Sequence, residues 1–533
     1  MAENVSGPGA GTAGRESSPT PVDPRAEHRR ILIILSALMM GMFLAALDQT
    51  IVATALPTIA GDLHGLNHLS WVVTAYLLTS TISTPLWGKL GDQFGRKGLF
   101  QAAIVVFLVG SALSGLSRNM AELIAFRALQ GVGAGGLIVG AQAIIGDVVS
   151  PRQRGRYMGY FGAVFGASSV IGPLAGGYLT EHLSWRWVFY VNLPLGALAV
   201  FVISAVLRLP RTRTHHVIDY AGAALLGAAV TAVILLTTWG GSTYGWGSTP
   251  ILGLAAAAAV LTGLFVLVER RAAEPVLPLA LFRNPVFSVA NAIGFLIGAV
   301  MFGVIIYIPL YLQTVHGASP TSSGLQLLPL ICGMLITFIT SGRLVTARGR
   351  YKIFPIIGTA VMTFGIYLLS LMNPSTGLPV SAAYMFVVGF GIGMVMQILV
   401  VAVQNAVPRE QLGTATSSTT FFRTIGGSFG VTVLGAVFNN RLAANLPVYL
   451  PPAAVHQIHG SNITASPAQL DALPAPIRHG FILAFSQSLH VVFLVSVPIG
   501  LTAFVLSWFL KELRLREHAY VTAETTAPHR TPG

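Results

Sequence analysis

The stretch GKLGDQFGRK at residues 88–97 returns, much diverged, as GRLVTARGRY at residues 342–351. Glycine, a basic residue, leucine and a Gly-Arg pair keep their places at an offset of 254. A second pair of segments repeats at an offset of 257 to 258. GVGAGG (131–136) runs on to Pro151, Arg152 and Gly155, and GFGIGM (389–394) runs on to Pro408, Arg409 and Gly413. Two copies of one unit are therefore written into the chain.

Each copy is set among long apolar runs. Working outward, spans are predicted at roughly 31–56, 69–90, 99–117, 121–146, 155–180, 187–208, 219–240, 250–268, 286–312, 322–344, 353–371, 380–403, 412–438 and 488–510. A hydrocarbon core of ~30 Å needs about 20 apolar residues per helix, so these are fourteen membrane-spanning helices. Spans one to six form the first copy and nine to fourteen the second, with seven and eight as an insert: a 6 + 2 + 6 arrangement. The domain reading is a disordered tail (1–30), an N-terminal six-helix bundle (31–210), a two-helix insert (211–285), a C-terminal six-helix bundle (286–512) and a second tail (513–533). An external loop, roughly 439–487, is rich in Pro and Ala.

Charge fixes the orientation. Odd-numbered loops carry four basic residues, Arg118, Arg186, Arg441 and Arg478. Even-numbered loops and the span ends beside them carry seventeen, among them Lys89, Arg96, Lys97, Arg152, Arg348 and Arg409. Lys and Arg are retained on the cytoplasmic side of a membrane, so both tails are expected in the cytoplasm. The net charge of +13 is spread over short loops, which suits anionic lipid headgroups and argues against a nucleic-acid partner. Only 9% of residues are charged, against about 25% in soluble proteins. Cys332 is the single cysteine, so no disulfide and no cysteine metal site are expected. GVGAGG satisfies G-x-G-x-x-G but lies inside an apolar helix, where a dinucleotide fold is impossible. No Walker motif is present, so no nucleotide cofactor is expected.

Several segments together resemble the major facilitator superfamily, and within it the fourteen-span drug:proton antiporters. They are GKLGDQFGRK, LDQTIVATALP (47–57), Arg127 with GVGAGG, GPLAGG (172–177) and WRWVFYVNLP (185–194), in the right order and on the right helices. The resemblance implies an all-α membrane protein of major facilitator fold. Parallel repeats of six helices are that superfamily's defining architecture, with a substrate site near the midplane between the halves.

Asp48 is the only acidic residue deep inside a predicted span. A carboxylate in hydrocarbon is costly and faces a cavity or a partner. Counted from the outer ends of spans one and four, Asp48 lies ~12 Å deep and Arg127 ~9 Å deep, so the two can pair. Burial raises a carboxyl pKa and a nearby Arg lowers it, and a group balanced between them suits proton coupling. A static ion pair bracing two helices fits the same residues. Arg423 lies well inside span thirteen and pairs either with helix carbonyls or with an anionic group of a substrate.

Gly88, Asp92, Gly95, Arg96 and Lys97 form a tight turn in which Asp92 suits a neighbouring helix N-terminus. Asp147, at the cytoplasmic end of span four, is the expected partner of Arg96. The resemblance implies a latch between the halves here, degenerate in the second copy, where Thr346 replaces Asp92. Gly162, Gly166, Gly172, Pro173, Gly176 and Gly177 line span five; small residues four apart let helices approach closely. The resemblance implies that this helix packs against the other half. The implied activity is proton-coupled export of small hydrophobic or cationic molecules across a bacterial inner membrane. The alternatives are an exporter dedicated to one natural product, an importer, or a transport-dead receptor.

Overall fold

The computed structural model describes residues 24–63, 69–207, 218–241, 243–452 and 473–515. Among them run fourteen long helices. The first copy gives α1 (Pro24–Asp62), α2 (Leu69–Phe94), α3 (Arg96–Leu116), α4 (Met120–Val148), α5 (Pro151–His182) and α6 (Trp187–Val206). The insert gives α7 (Tyr220–Trp239) and α8 (Thr249–Glu269). The second copy gives α9 (Pro285–His316), α10 (Leu328–Arg348), α11 (Ile353–Ser370), α12 (Leu378–Ala406), α13 (Leu412–Tyr449) and α14 (Ala475–Phe509). The protein is a multi-pass membrane protein. Thirteen of the helices are long and apolar enough to cross a bilayer. The other, α2, is long enough but studded with Ser and Thr. Its polar groups are spent on α4: Thr79 Oγ1 donates to the Ala128 carbonyl (2.7 Å), Ser83 Oγ to Val132 (3.0 Å) and Trp87 Nε1 to Val132 (2.7 Å).

Local chemistry sets the boundaries. Proline opens α5 and α9 in the first helical turn, where its missing N–H costs nothing. Gly317 and Gly349 close α9 and α10 in the left-handed region, the usual helix-ending geometry. Three boundaries differ from the sequence reading. Helix α1 begins at Pro24, so residues 24–30 are helix and not tail. Helix α13 runs on to Tyr449 and α14 starts at Ala475, so both flanks of the expected 439–487 loop are helix. The extensions of α1 and α13 carry helix-forming Ala and Arg, and that of α14 is held by its own buried side chains Phe481, Ala484 and Phe485. Residues 1–23, 64–68, 208–217, 242, 453–472 and 516–533 lie outside the described residues.

Within the first half α2 and α3 pack on α4, and α1 on α5; within the second, α9 packs on α13, and α10 and α11 on α12. The halves meet along two seams, α5 against α10 and α2 against α13. Each seam is closed at the basic end of the bundle by a glycine pair. A Cβ on Gly342 would lie 2.0 Å from the Gly155 carbonyl oxygen, and one on Gly413 would lie 2.5 Å from that of Gly88. The two pairs are repeat-equivalents, since 88 corresponds to 342 and 155 to 413. The insert is docked on one seam. Leu226, Val230 and Ile234 of α7 cluster with Leu78, Ile82 and Leu86 of α2 and Phe421 of α13. Thr432 Oγ1 donates to the Thr237 carbonyl at 3.0 Å, and Glu274, beyond α8, pairs with Lys89 at 3.5 Å.

Gly342→Val forces the basic ends of α5 and α10 apart. Overpacking of this kind costs about 1–3 kcal/mol, a shift of roughly ten- to a hundredfold in the closed-to-open ratio. In a Cys332→Ser background, a cysteine at Thr346 is then expected to react faster with a membrane-impermeant maleimide applied from the basic face. An unchanged rate would show that the glycine pair does not hold this seam.

Candidate functional site

The register of α4 is fixed where it begins. Asn119 Oδ1 accepts the Glu122 backbone N–H (2.9 Å), and Glu122 Oε2 accepts that of Arg118 (2.9 Å), a reciprocal cap. One and a half turns later Arg127 points into the first half and meets Asp48 of α1. Arg127 Nη1 lies 2.5 Å from Asp48 Oδ2. It also donates to Gln130 Oε1 (2.8 Å), and its Nε to the Val72 carbonyl (3.3 Å). The second carboxylate oxygen accepts from Gln130 Nε2 (2.8 Å) and Asn192 Nδ2 (3.3 Å). Asn192 is held in turn by Ser111 Oγ (3.0 Å). The Tyr76 ring covers the guanidinium at 4.2 Å, a cation–π contact.

This network is sealed: Asp48 is 0% exposed and Arg127 1%. Of the two surroundings the sequence allowed Asp48, a cavity or a partner, this conformation shows the partner. Both carboxylate oxygens are occupied by protein donors, and the Tyr76 ring caps the guanidinium. Gln130 and Asn192 were missing from the sequence reading. The signal for Gln130 was its spacing of three from Arg127, which puts both on one helix face. Asn192 sits where α6 breaks between Trp187–Tyr190 and Asn192–Val206. The same WRW segment ties down that end of the half, with Trp185 Nε1 donating to Asp62 Oδ2 at 2.8 Å and Arg186 to the Ser117 carbonyl at 3.0 Å.

At the basic end Asp92 of α2 reaches across the seam to the first turn of α13. It accepts the backbone N–H groups of Gly413 (2.8 Å) and Thr414 (2.7 Å) and the Thr414 hydroxyl (3.0 Å). Those N–H groups lack helical partners and carry the positive end of the helix dipole. Arg96 braces the carboxylate at 2.6 Å and meets Asp147 of α4 at 2.5 Å. It also donates to the Arg409 carbonyl of the other half (3.1 Å), and Arg409 Nε lies 3.5 Å from Asp147. Gly95 lets the chain turn between Asp92 and Arg96 with φ +95°, a region open to glycine. Lys97 stands apart, donating to the Ser204 carbonyl of its own half. In the second copy Thr346 offers only its backbone carbonyl, to Arg152 Nε (3.3 Å).

The glycines of α5 divide into two groups. Gly155, Gly159, Gly162 and Gly166 face α10, against Gly342, Phe338, Ile331 and Leu335. Gly172 and Gly176 face α1 instead, where an added Cβ would fall on Thr50 and Thr54, and Gly177 meets nothing. The expected packing of this helix on the other half is thus made by Gly155–Gly166, while Gly172 and Gly176 pack on α1. Glycine spacing marks a close approach without naming the neighbour. Among the aromatic side chains of the spans, Trp71 packs edge-on against Trp239, and Phe295 and Tyr307 lie tilted against Phe429 and Phe438.

Arg423 of α13 is partly exposed, on a small cavity lined also by Gly294, Ile297, Met396, Leu399 and Thr419.

A profile described as Major Facilitator Superfamily matches residues 38–431. The chain is 44% identical over 511 residues to an uncharacterized MFS-type transporter of Mycobacterium tuberculosis, covering 95% of this chain and 74% of the relative. It is 40% identical over 513 residues to the multidrug transporter protein MdtP of Bacillus subtilis, covering 92% and 94%. Among solved structures, the proton:xylose symporter XylE superposes with a TM-score of 0.62 at 13% identity, covering 93% of this chain and 99% of that one. The chain belongs to the major facilitator superfamily of transporters.

Asp92→Asn removes the charge that holds α13 while keeping the side-chain shape. Removing one partner of a buried pair costs about 3–5 kcal/mol. Spin labels on the basic ends of α2 and α13 are expected to show the short-distance population give way to a longer one. An unchanged distance distribution would show that the latch does not govern this seam.

Proposed function

We propose that this transporter exports hydrophobic, drug-like molecules in exchange for protons. It would sit in a bacterial inner membrane with both termini in the cytoplasm. The observation that carries the reading is the Asp48–Arg127 pair, the one place deep within the described spans where a carboxylate is buried against a permanent cation. A proton added to Asp48 leaves Arg127, which does not deprotonate, without its counter-charge in a low-dielectric interior. A buried charge left unpaired is strongly unfavourable, so protonation and rearrangement are tied together.

Helix α4 supplies the connection. It carries Arg127 near one end and Asp147 near the other, 20 residues or ~30 Å apart along a rigid rod. Displacing α4 at Arg127 shifts Asp147 against Arg96 and Arg409, and with them the grip of Asp92 on α13. With the basic end closed, Asp48 would take its proton from the outside. With the latch released, the central cavity would open to the cytoplasm, the proton leave and a new molecule enter. The multidrug relative supports the direction and breadth of transport. One charge crossing ~100 mV yields about 2.3 kcal/mol, and a tenfold gradient costs about 1.4 kcal/mol. A neutral molecule exchanged for one proton can thus be held at a ratio of several tens by voltage alone.

Asp48→Asn keeps the shape and removes the titration. In everted membrane vesicles its pH-gradient-driven efflux is expected to fall to the level seen with an uncoupler, with the protein present in the membrane at normal abundance. Wild-type efflux by this variant would overturn the coupling assignment.

A further inference from the structure

The two halves treat their buried charge differently. In the first, Asp48 and Arg127 neutralise each other and every oxygen of the carboxylate is taken. In the second, no acidic residue lies deep in a described span, yet Arg423 sits eleven residues into α13, ~16 Å from its start. Among the described residues its side chain has no ion pair and no hydrogen bond. A lipid phosphate cannot reach that depth. The side chain instead borders a small cavity between α9 (Gly294, Ile297), α12 (Met396, Leu399) and α13 (Thr419). A lone charge at mid-membrane depth marks a functional position.

The surroundings define what the charge would hold. Ile297, Met396 and Leu399 offer apolar surface. Asn291, one turn before Gly294, and Thr420, one turn before Arg423, are both buried, and each carries a side-chain oxygen with no partner among the described residues. Such orphaned groups cost free energy until a ligand or water satisfies them. The cavity itself offers a cation and an oily wall. A cationic molecule would find Arg423 repulsive and the one deep carboxylate already occupied.

We infer that Arg423 docks the anionic group of the transported molecule, so that the preferred substrates are amphipathic organic anions and not cations. This rests on the export reading above and narrows its substrate class. It has a consequence for energetics: exchanging an incoming proton for an outgoing monoanion moves two charges, so voltage drives it more strongly than it drives a neutral substrate.

Two probes with one fluorophore test it, dansyl-phenylalanine (a carboxylate) and its methyl ester (neutral). Equilibrium binding to the purified protein is measured by fluorescence, independently of transport. The wild type is expected to bind the carboxylate at least about tenfold more tightly than the ester, and Arg423→Gln to abolish that preference, as loss of a buried charge partner does. Arg423→Lys is expected to restore part of it, which a purely structural arginine would not show. In everted vesicles, an imposed membrane potential is expected to stimulate carboxylate transport more than ester transport. No binding of the carboxylate, equal binding of both probes, or equal losses for both in Arg423→Gln would overturn the inference. A normal carboxylate preference in binding with no gradient-driven transport of either probe would instead contradict the export reading and leave the site standing.

Discussion

A charge buried in a membrane protein must be neutralised, and the pairing of Asp48 with Arg127 is how the first half of this protein does it. The pair joins α1 to α4 and recruits Gln130, Asn192 and Tyr76 around it. Its neighbours are chosen for one protonation state. Three donors converge on a group that is acceptor-only while it is ionised. In the proposed exchange, a proton arriving on Asp48 would leave Arg127 without its counter-charge. A static brace would be served equally well by two amides. A carboxylate opposed to an arginine adds sensitivity to protons, which is the property a proton-driven transporter needs.

The basic end repeats this logic with backbone in place of a side chain. Asp92 neutralises the positive end of α13, and Arg96 neutralises Asp92 and Asp147 together. Helix α13 therefore carries the latch at its first turn and Arg423 some ten residues further on. Helix α4 carries Arg127 and Asp147. Each of these two helices thus links one buried charge to the seam that closes the basic end, and in the proposed exchange they would carry the coupling between substrate, proton and gate. The second seam, at Gly155 and Gly342, has the close packing of the first but no carboxylate. It closes by shape and the hydrogen bond from Arg152 to the Thr346 carbonyl, while the Asp92 latch lies on the other side of the repeat.

Much of this was legible in the chain. Alternating basic loops and apolar runs gave the helices, because positive charge and hydrocarbon thickness are one-dimensional constraints. The diverged repeat pointed to the glycines that meet at both seams. Asp48, Arg127, Asp92, Arg96 and Asp147 stood out because charges in or beside spans are rare. The rest needed the third dimension. Gln130 and Asn192 are neutral polar residues whose importance depends on which helix face they share with a charge. Gly172 and Gly176 announce a close neighbour, and only packing shows that it is α1. The polar end of α13 remains helical beyond its apolar stretch, and α14 starts earlier than its longest apolar run because Phe481, Ala484 and Phe485 pack in the core. The place of α7 on the α2–α13 seam depends on contacts far apart in sequence, such as Thr237 with Thr432.

The central claim is that Asp48 exchanges Arg127 for a proton as the transporter works. It is tested most directly by counting protons when a transported compound binds to the purified protein in weakly buffered detergent solution. The account predicts release of about one proton per protein in the wild type, as expected when substrate binding and protonation are reciprocally linked, and none from Asp48→Asn. Equal release by both proteins would contradict it.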